Sequence, residues 1–517
     1  MRRHLPALSR SAFDLLVVGG GIQGACAAWD ATLRGLSVAL IDQDDFGAAT
    51  SANSLRIVHG GLRYLARGNL VRMRESSRER STLLRIAPGL VQPLPVLVPV
   101  YGIGIRGRAA LGAALTLNDL TSWRRNRHLE PERLIPAGRL VSRHECLSLF
   151  AGLAAEDLTG GALWYDAQLL HPERLTLSFV QAAADLGGVV ANYVRFERLR
   201  TLEGTVHGAT VTDRLTGTEI DIEASVVLLA AGPWTRELAA RVSGKATPLE
   251  SLPQRALGLN LLIGRRLADV AVGVRARSTP QDDPIGGGGR FLFFAPQGEA
   301  TMLGTWYTLA DAGEVSGALT KGVHTLLREF NAACPGARLS EKDVVRCYWG
   351  WLPLKAGTEP GRADALAERP RVLDHGRTGG VRNLLSVEGV KFTTARGVAE
   401  RAVDRVFTAL GRPSPPCRTA EVRLPAAQVE GLLERKAMTR GEEILHAVRS
   451  EMAVKLTDII FRRTELGAVP GPDRVVVETA ARLAGPVLGW DRAREEAEIE
   501  SVMRQASAPD LAMEAVG

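Results

Sequence analysis

Cysteine is scarce and scattered. Cys26, Cys146, Cys334, Cys347 and Cys417 are the five in 517 residues, odd in number, widely spaced and without a C-x-x-C pair, which argues against a disulfide framework and suits a reducing compartment. No zinc-type spacing occurs, and no metal site is expected. Aromatic residues make up only 5%; with neither a recognition-helix pattern nor the aromatic motif of an RNA-binding sheet, nucleic acid is not an expected partner. Long apolar runs are also missing: the stretches around Leu90 to Ile105 and Val226 to Ala231 are broken by proline or too short to span a bilayer. Arg2, Arg3 and Arg10 precede the first strand without the apolar core and cleavage pattern of a leader. These absences set the expectation of a cytoplasmic protein, at most peripheral on the inner face of a membrane.

What is present points to an enzyme. The length allows two or three domains, and 45% hydrophobic with 23% charged residues is a globular composition. A net charge of +7 is a modest excess over such a length, compatible with an anionic substrate, a phosphate-bearing cofactor or an anionic membrane surface. The stretch Phe13 to Asp42 organises the rest. Leu15 to Val18 reads as a buried strand, Gly19, Gly21 and Gly24 follow at the spacing G-x-G-x-x-G, and an alanine-rich helix comes next. The first glycine permits the turn, the second lets backbone approach a pyrophosphate, and the third lets helix lie close on strand. The helix N-terminus then offers its unpaired N–H groups to the phosphates. A second strand, Val38 to Ile41, ends in Asp42, placed to accept hydrogen bonds from a ribose.

Farther along, Ala48 to Ser54 is small and polar, and Gly60-Gly61 reads as a flexible hinge beside His59, Arg63 and Tyr64. Leu70, Met73, Leu83 and Ile86 punctuate a charged segment from Asn69 to Ile86, read as a solvated helix packing by one face. After Pro88, Pro93, Pro95 and Pro99 comes an apolar helical stretch, Ala109 to Trp123, flanked by Arg106, Arg108, Arg124, Arg125 and Arg127. Two readings of it stay open: a helix lying in a membrane interface, or an interior helix with solvated arginines at its ends. The pattern predicts a helix over Pro172 to Leu186, a hairpin at Leu215 to Thr218, and an apolar strand from Ser225 ending in Gly232-Pro233-Trp234, where a doubly wound sheet can hold a ligand. Short glycine-bounded runs between residues 253 and 310 read as antiparallel strands. Strands at Val344 to Leu354 and Leu384 to Lys391, a helix from Gly397 to Leu410 and a proline-rich linker at 413–417 follow. The charged remainder reads as a separate helical domain.

Several stretches, DLLVVGGGIQG, RGLSVALIDQDDFGAATSANS, VHGGLRYL, AAGPWT, EGVKFTTARGVAERAVD and MAVKLTDIIFRRTELG, resemble in this order the FAD-dependent glycerol-3-phosphate dehydrogenases, the quinone-reducing kind. The resemblance implies an α/β fold: a Rossmann-like FAD-binding domain interleaved with a mostly antiparallel substrate-binding sheet, plus a C-terminal helical domain. The expected division is FAD-binding at 1–90, 161–250 and 356–412, a helical cap insertion at 91–160, the substrate sheet at 251–355 and the helical domain at 413–517. FAD contacts are expected from Gly19, Gly21, Ile22, Gln23, Gly24, Asp42, Gln43, Thr50, Ser51, Ser54, Gly232, Trp234, Gly389, Val390, Phe392 and Thr393. The implied chemistry is hydride transfer from a carbinol carbon to flavin N5, with a base on the hydroxyl and cations on the phosphate. Arg63, Tyr64, Lys391 and Leu352 would meet the substrate, and His59, Lys391 and Arg63 would serve catalysis, the base being His59 or Lys391. For His59 a bond to the FAD pyrophosphate, for Arg63 a structural ion pair, and for Lys391 stabilisation of the reduced flavin stay open.

Two departures stand out. Leu352, with Trp351 beside it, occupies the place of an arginine before Pro-Leu, and Gly304-Thr305-Trp306-Tyr307 replaces a Gly-Thr-Thr-Asp turn. Both are expected to make the pocket more apolar; a phosphate left buried without one of its cations loses about 2–5 kcal/mol. Alternatives to a glycerol-3-phosphate dehydrogenase are therefore an oxidase using O2 on an amine, hydroxy acid or larger alcohol, and a flavin-binding protein without catalysis. The acceptor, quinone or O2, membrane association and a homodimer are left open.

Overall fold

A computed structural model describes the chain except residues 66–67, 103–106, 243–254, 277–278, 280–284, 286–289, 356–365, 368, 428–437, 469–470 and 507–517, and the side chains of residues 63, 65, 108, 312 and 426. Two sheets carry the architecture. In the eight-stranded first sheet, the parallel strands Val189–Ala191, Val38–Ile41, Ala12–Val18, Glu219–Leu229 and Leu384–Glu388 lie side by side. Their near-continuous Val, Ile and Leu content reflects burial on both faces. Helix Ile22–Leu33 can lie close on this sheet because Gly24, Ala25, Ala27, Ala28 and Ala31 are small; Trp29 on it packs against Phe179 of helix Pro172–Asp185 at 5.3 Å between ring centroids.

The second sheet has nine strands, mostly antiparallel. It includes Ala256–Ile263, Phe291–Gln297, Ala300–Leu309 and Val344–Leu352, covered on one face by helix Val315–Ala333. The expected helical cap at 91–160 is corrected: Val91–Tyr101 and Arg139–Val141 are strands of this sheet, and Leu158–Leu169 is a third that begins there. Pro93, Pro95 and Pro99 are tolerated because they share one parity. The N–H of that parity points away from the long ladder with Leu158–Leu169, toward a strand that meets only Val96 and Leu97. Helix Arg108–Thr121 is the main helical element of the insertion.

Helix Leu70–Ile86 is not a solvated one. Glu79 and Arg80 are buried on it, because charges distant in sequence meet them: Arg396 forks onto Glu79 at 2.6 and 2.8 Å, and Asp166 takes Arg80.

The C-terminal region has its own core, centred on Ile444, Ile459, Ile460, Ala481 and Val502, yet it is fastened to the first sheet. Arg462 and Arg463 donate to Asp45 at 2.6–2.7 Å, and Tyr193 donates to Asp458 at 2.7 Å. Burial works against the Asp45 charge, but Arg463 and Arg462 hold its carboxyl well below the usual range. Removing one partner of such a pair strands a buried charge, at a cost of about 3–5 kcal/mol.

Candidate active site

The parallel strands end together at Val18, Ile41, Leu229 and Glu388, and the expected cofactor residues gather at those carboxyl ends. Gly19 has φ +108°, and a Cβ there would stand 2.7 Å from the Ala230 carbonyl oxygen. A Cβ on Gly24 would lie 1.8 Å from the Gly19 carbonyl oxygen. The turn thus closes only as glycine. Gly21 caps helix Ile22–Leu33, and the Ile22 N–H donates to Ser51 Oγ at 3.0 Å, which draws the small polar segment across the helix N-terminus. Asp42 accepts from the Gly20 and Asp44 N–H groups at 2.7 and 2.9 Å. Burial pushes its carboxyl up to about 7.

These residues fit a flavin dinucleotide. Gln23 reaches from the helix to the Gly389 carbonyl (3.1 Å), and its own Oε1 is buried with no partner among the described residues. Thr50 donates to the Trp351 carbonyl (2.8 Å), and a Cβ on Gly350 would meet Thr50 at 3.1 Å, so the two sheets approach closely there. Gly232 and Trp234 form a short turn after Leu229, with Arg255 over the indole ring at 5.6 Å. Ser54 accepts from the Arg56 N–H, and Val390 follows Gly389 at the strand end. Gln43 is exposed and its carbonyl accepts from Arg214, while Phe392 packs against the core of the first sheet, just ahead of helix Ala395–Ala409.

Tyr64 and Lys391 come together beyond the Gly60-Gly61 turn, and His59 precedes it. Lys391 Nζ donates to the Tyr64 hydroxyl and stands over the Tyr64 ring at 4.5 Å. Arg72, which the sequence reading missed, lies over the same ring at 5.3 Å. The Arg63 side chain is outside the described residues.

The turn is not a hinge. A Cβ on Gly60 would meet Arg80 Nη1 at 2.1 Å and Asp166 Oδ1 at 3.0 Å, so the glycine lets the backbone lie directly on a buried ion pair. The Gly60 N–H donates to Asp166 Oδ1 at 2.6 Å, and Asp166 Oδ2 is 3.5 Å from His59 Nδ1. On another side, the Phe293 ring meets His59 edge-on at 5.8 Å. Burial opposes the Asp166 charge, but the hydrogen bond and charge of His59, then Arg80 and the Gly60 amide, hold its carboxyl below the usual range.

Leu352 ends its strand in a small apolar cluster, and Trp306 does not sit where expected. Leu352 packs with Tyr307, Leu309, Ala256, Ile285, Leu354 and Leu366. Arg236 bonds both the Leu354 carbonyl (2.7 Å) and Glu388, so this strand end is tied to the one leading into Lys391. Trp306 is fully buried on the opposite face, in a space left by Gly322 of helix Val315–Ala333. It therefore adds nothing to the pocket, a correction to the second expected departure; Tyr307, next along the strand, supplies the apolar contact instead.

Helix Arg108–Thr121 is not interior. Leu117, Leu120 and Trp123 are 41%, 66% and 70% exposed, with Arg124 over the Trp123 ring. Among the described residues, no helix is long and apolar enough to cross a membrane.

A family model described as "FAD dependent oxidoreductase" matches residues 14–405, and one described as "C-terminal domain of alpha-glycerophosphate oxidase" matches residues 414–495. The chain is similar to a glycerol-3-phosphate dehydrogenase of Synechocystis sp., 32% identical over 454 residues that cover 85% of this chain and 78% of that one. It is 30% identical to the mitochondrial glycerol-3-phosphate dehydrogenase of Bos taurus over 79% of its length, but spans only 55% of that relative. In fold it is similar to the glycerol-3-phosphate dehydrogenase of Bacillus halodurans complexed with FAD, with a TM-score of 0.71, 23% identity and coverage of 98% and 97%.

Proposed function

The chain belongs to the FAD-dependent oxidoreductases, with the glycerol-3-phosphate dehydrogenases, and on that footing we propose that it oxidises the secondary alcohol of glycerol 3-phosphate or a closely related phosphorylated polyol. FAD, when bound, supplies the acceptor for the hydride leaving the carbinol carbon. The chain's own residues do the rest. Lys391 and Arg72 bring positive charge to the two contacts on Tyr64 and attract the anion, with Arg63 adding to them. Lys391 and Tyr64 orient the substrate, and His59 takes the hydroxyl proton. The observation that carries this reading is the Lys391–Tyr64 hydrogen bond, just past the end of strand Leu384–Glu388. Leu352 weakens the grip on phosphate relative to an arginine there, without removing the cations on Tyr64.

Mixing the yellow holoprotein anaerobically with glycerol 3-phosphate tests the reading. Bleaching supports it; bleaching only with amines or unphosphorylated alcohols favours the oxidase alternative; a colourless protein after gentle purification defeats both.

For the acceptor we propose a quinone met at an anionic membrane surface. The apolar stripe of Leu117, Leu120 and Trp123 beside Arg124 and Arg127 supports this, since such a face inserts at the headgroup level while arginines meet anionic lipid. Leu120→Glu is expected to lower binding to anionic vesicles about tenfold, roughly 1.4 kcal/mol, as read by co-sedimentation.

A further inference from the structure

We propose that Asp166 is the positioning residue for His59: it holds the imidazole by Nδ1 and leaves Nε2 as the atom that accepts the substrate's hydroxyl proton. This rests on the reading of His59 as the base.

The division of labour between the two carboxylate oxygens carries the argument. Asp166 Oδ1 takes the Gly60 N–H at 2.6 Å and Arg80 Nη1 at 3.3 Å. Asp166 Oδ2 lies outside that pair and faces His59 Nδ1 at 3.5 Å, with the Trp164 indole N–H on its other side at 3.4 Å. A ring that donates from Nδ1 to a carboxylate carries its lone pair on Nε2. The edge of Phe293 limits the ring's swing. Against its burial, His59 itself, then Arg80, which is buried and also bonded to the Tyr165 carbonyl, hold the Asp166 carboxyl below its usual range, so the carboxylate accepts a hydrogen bond without taking the proton.

Among the described residues the charges near His59 include Asp166, with Arg80 on it and Asp119 and Arg125 near Arg80, and farther along the segment Arg72 and Lys391 meet on Tyr64. Among these the Asp166 carboxylate is the one that faces His59 Nδ1. In the oxidation, Nε2 would take the O–H proton as the carbinol C–H gives up a hydride and a C=O bond forms, bound FAD being the two-electron acceptor the step requires, and the imidazolium would later return its proton to water.

The test is the limiting rate of anaerobic flavin reduction by glycerol 3-phosphate in the holoenzyme, for the wild type, Asp166→Asn, Asp166→Glu and His59→Asn. Asp166→Asn is expected to keep its flavin and slow the limiting rate about 100-fold, within the range for general base catalysis, with the half-saturating substrate concentration little changed. Asp166→Glu should restore part of the rate. A wild-type limiting rate in Asp166→Asn, with His59→Asn inactive, overturns the inference and leaves His59 as the base; an unaffected His59→Asn overturns the reading of His59 and the inference with it. Because Asp166→Asn strands Arg80 and can fail to fold, a second readout uses the wild type alone. Nitrogen NMR of histidine-labelled holoprotein, with the His59 signals identified by their loss in His59→Asn, should report the Nδ1–H tautomer. The Nε2–H tautomer overturns the inference.

Discussion

The nucleotide end and the substrate end of the crevice are built by different means. At the nucleotide end backbone does the recognition: Gly19, Gly21 and Gly24 bend the chain, a helix N-terminus supplies N–H groups, and Asp42 is held by the Gly20 and Asp44 amides. At the proposed substrate end side chains would do it, and they come from far apart: His59, Tyr64 and Arg72 from one segment, Asp166 from a strand of the second sheet, Leu352 from another, Lys391 from the exit of the first sheet. Backbone geometry tolerates almost no substitution. A side-chain pocket can change one wall, as Leu352 does, while the rest stands.

The largest effect on binding should come at the nucleotide end. Gly24→Ala places a methyl group against the Gly19 carbonyl and should lift the helix off the turn, weakening flavin binding by roughly 100-fold, about 3 kcal/mol; the flavin-to-protein ratio after gel filtration reads this. Near-wild-type flavin content would erase the contrast between the two ends.

Next comes the clamp behind that end. Arg463→Met should cost about 3–5 kcal/mol in unfolding by denaturant, because Asp45 is left buried with one cation fewer. The sign with pH follows from the depressed Asp45 carboxyl: its contribution is complete above the unfolded value of about 4 and is lost as pH falls through the lower folded value. The deficit of Arg463→Met should accordingly shrink in acid, and a constant deficit would count against the ion pair as its source.

The smallest effect should come at the substrate wall. Leu352→Arg should improve the preference for glycerol 3-phosphate over glycerol by about tenfold, roughly 1.4 kcal/mol, in flavin-reduction kinetics. No change would place the phosphate elsewhere in the crevice.

The same contrast explains what could be read from sequence. The glycine turn, the strand ending at Ile41, helix Pro172–Asp185 and the hairpin after Asp213 follow from local pattern and turn chemistry, which need no partner. The support under His59 does not: Arg80 and Asp166 are 86 residues apart, and only the fold puts them beneath Gly60. For the same reason Glu79 and Arg80 looked like solvent-facing charges until Arg396 and Asp166 arrived. Trp306 was misplaced because the ladder slips between Leu259 and Asn260, which breaks the simple alternation of faces along the paired strand. Three prolines hid a strand at Val91–Tyr101, since parity relative to neighbours is invisible in one sequence.

The central claim is that a flavin held by backbone meets a substrate held by Lys391. Lys391→Met, reconstituted with FAD and mixed anaerobically with glycerol 3-phosphate, separates the two ends in one measurement. The expected result is full flavin content with reduction slowed at least about 100-fold; reduction at the wild-type rate, or loss of the flavin itself, would contradict the account.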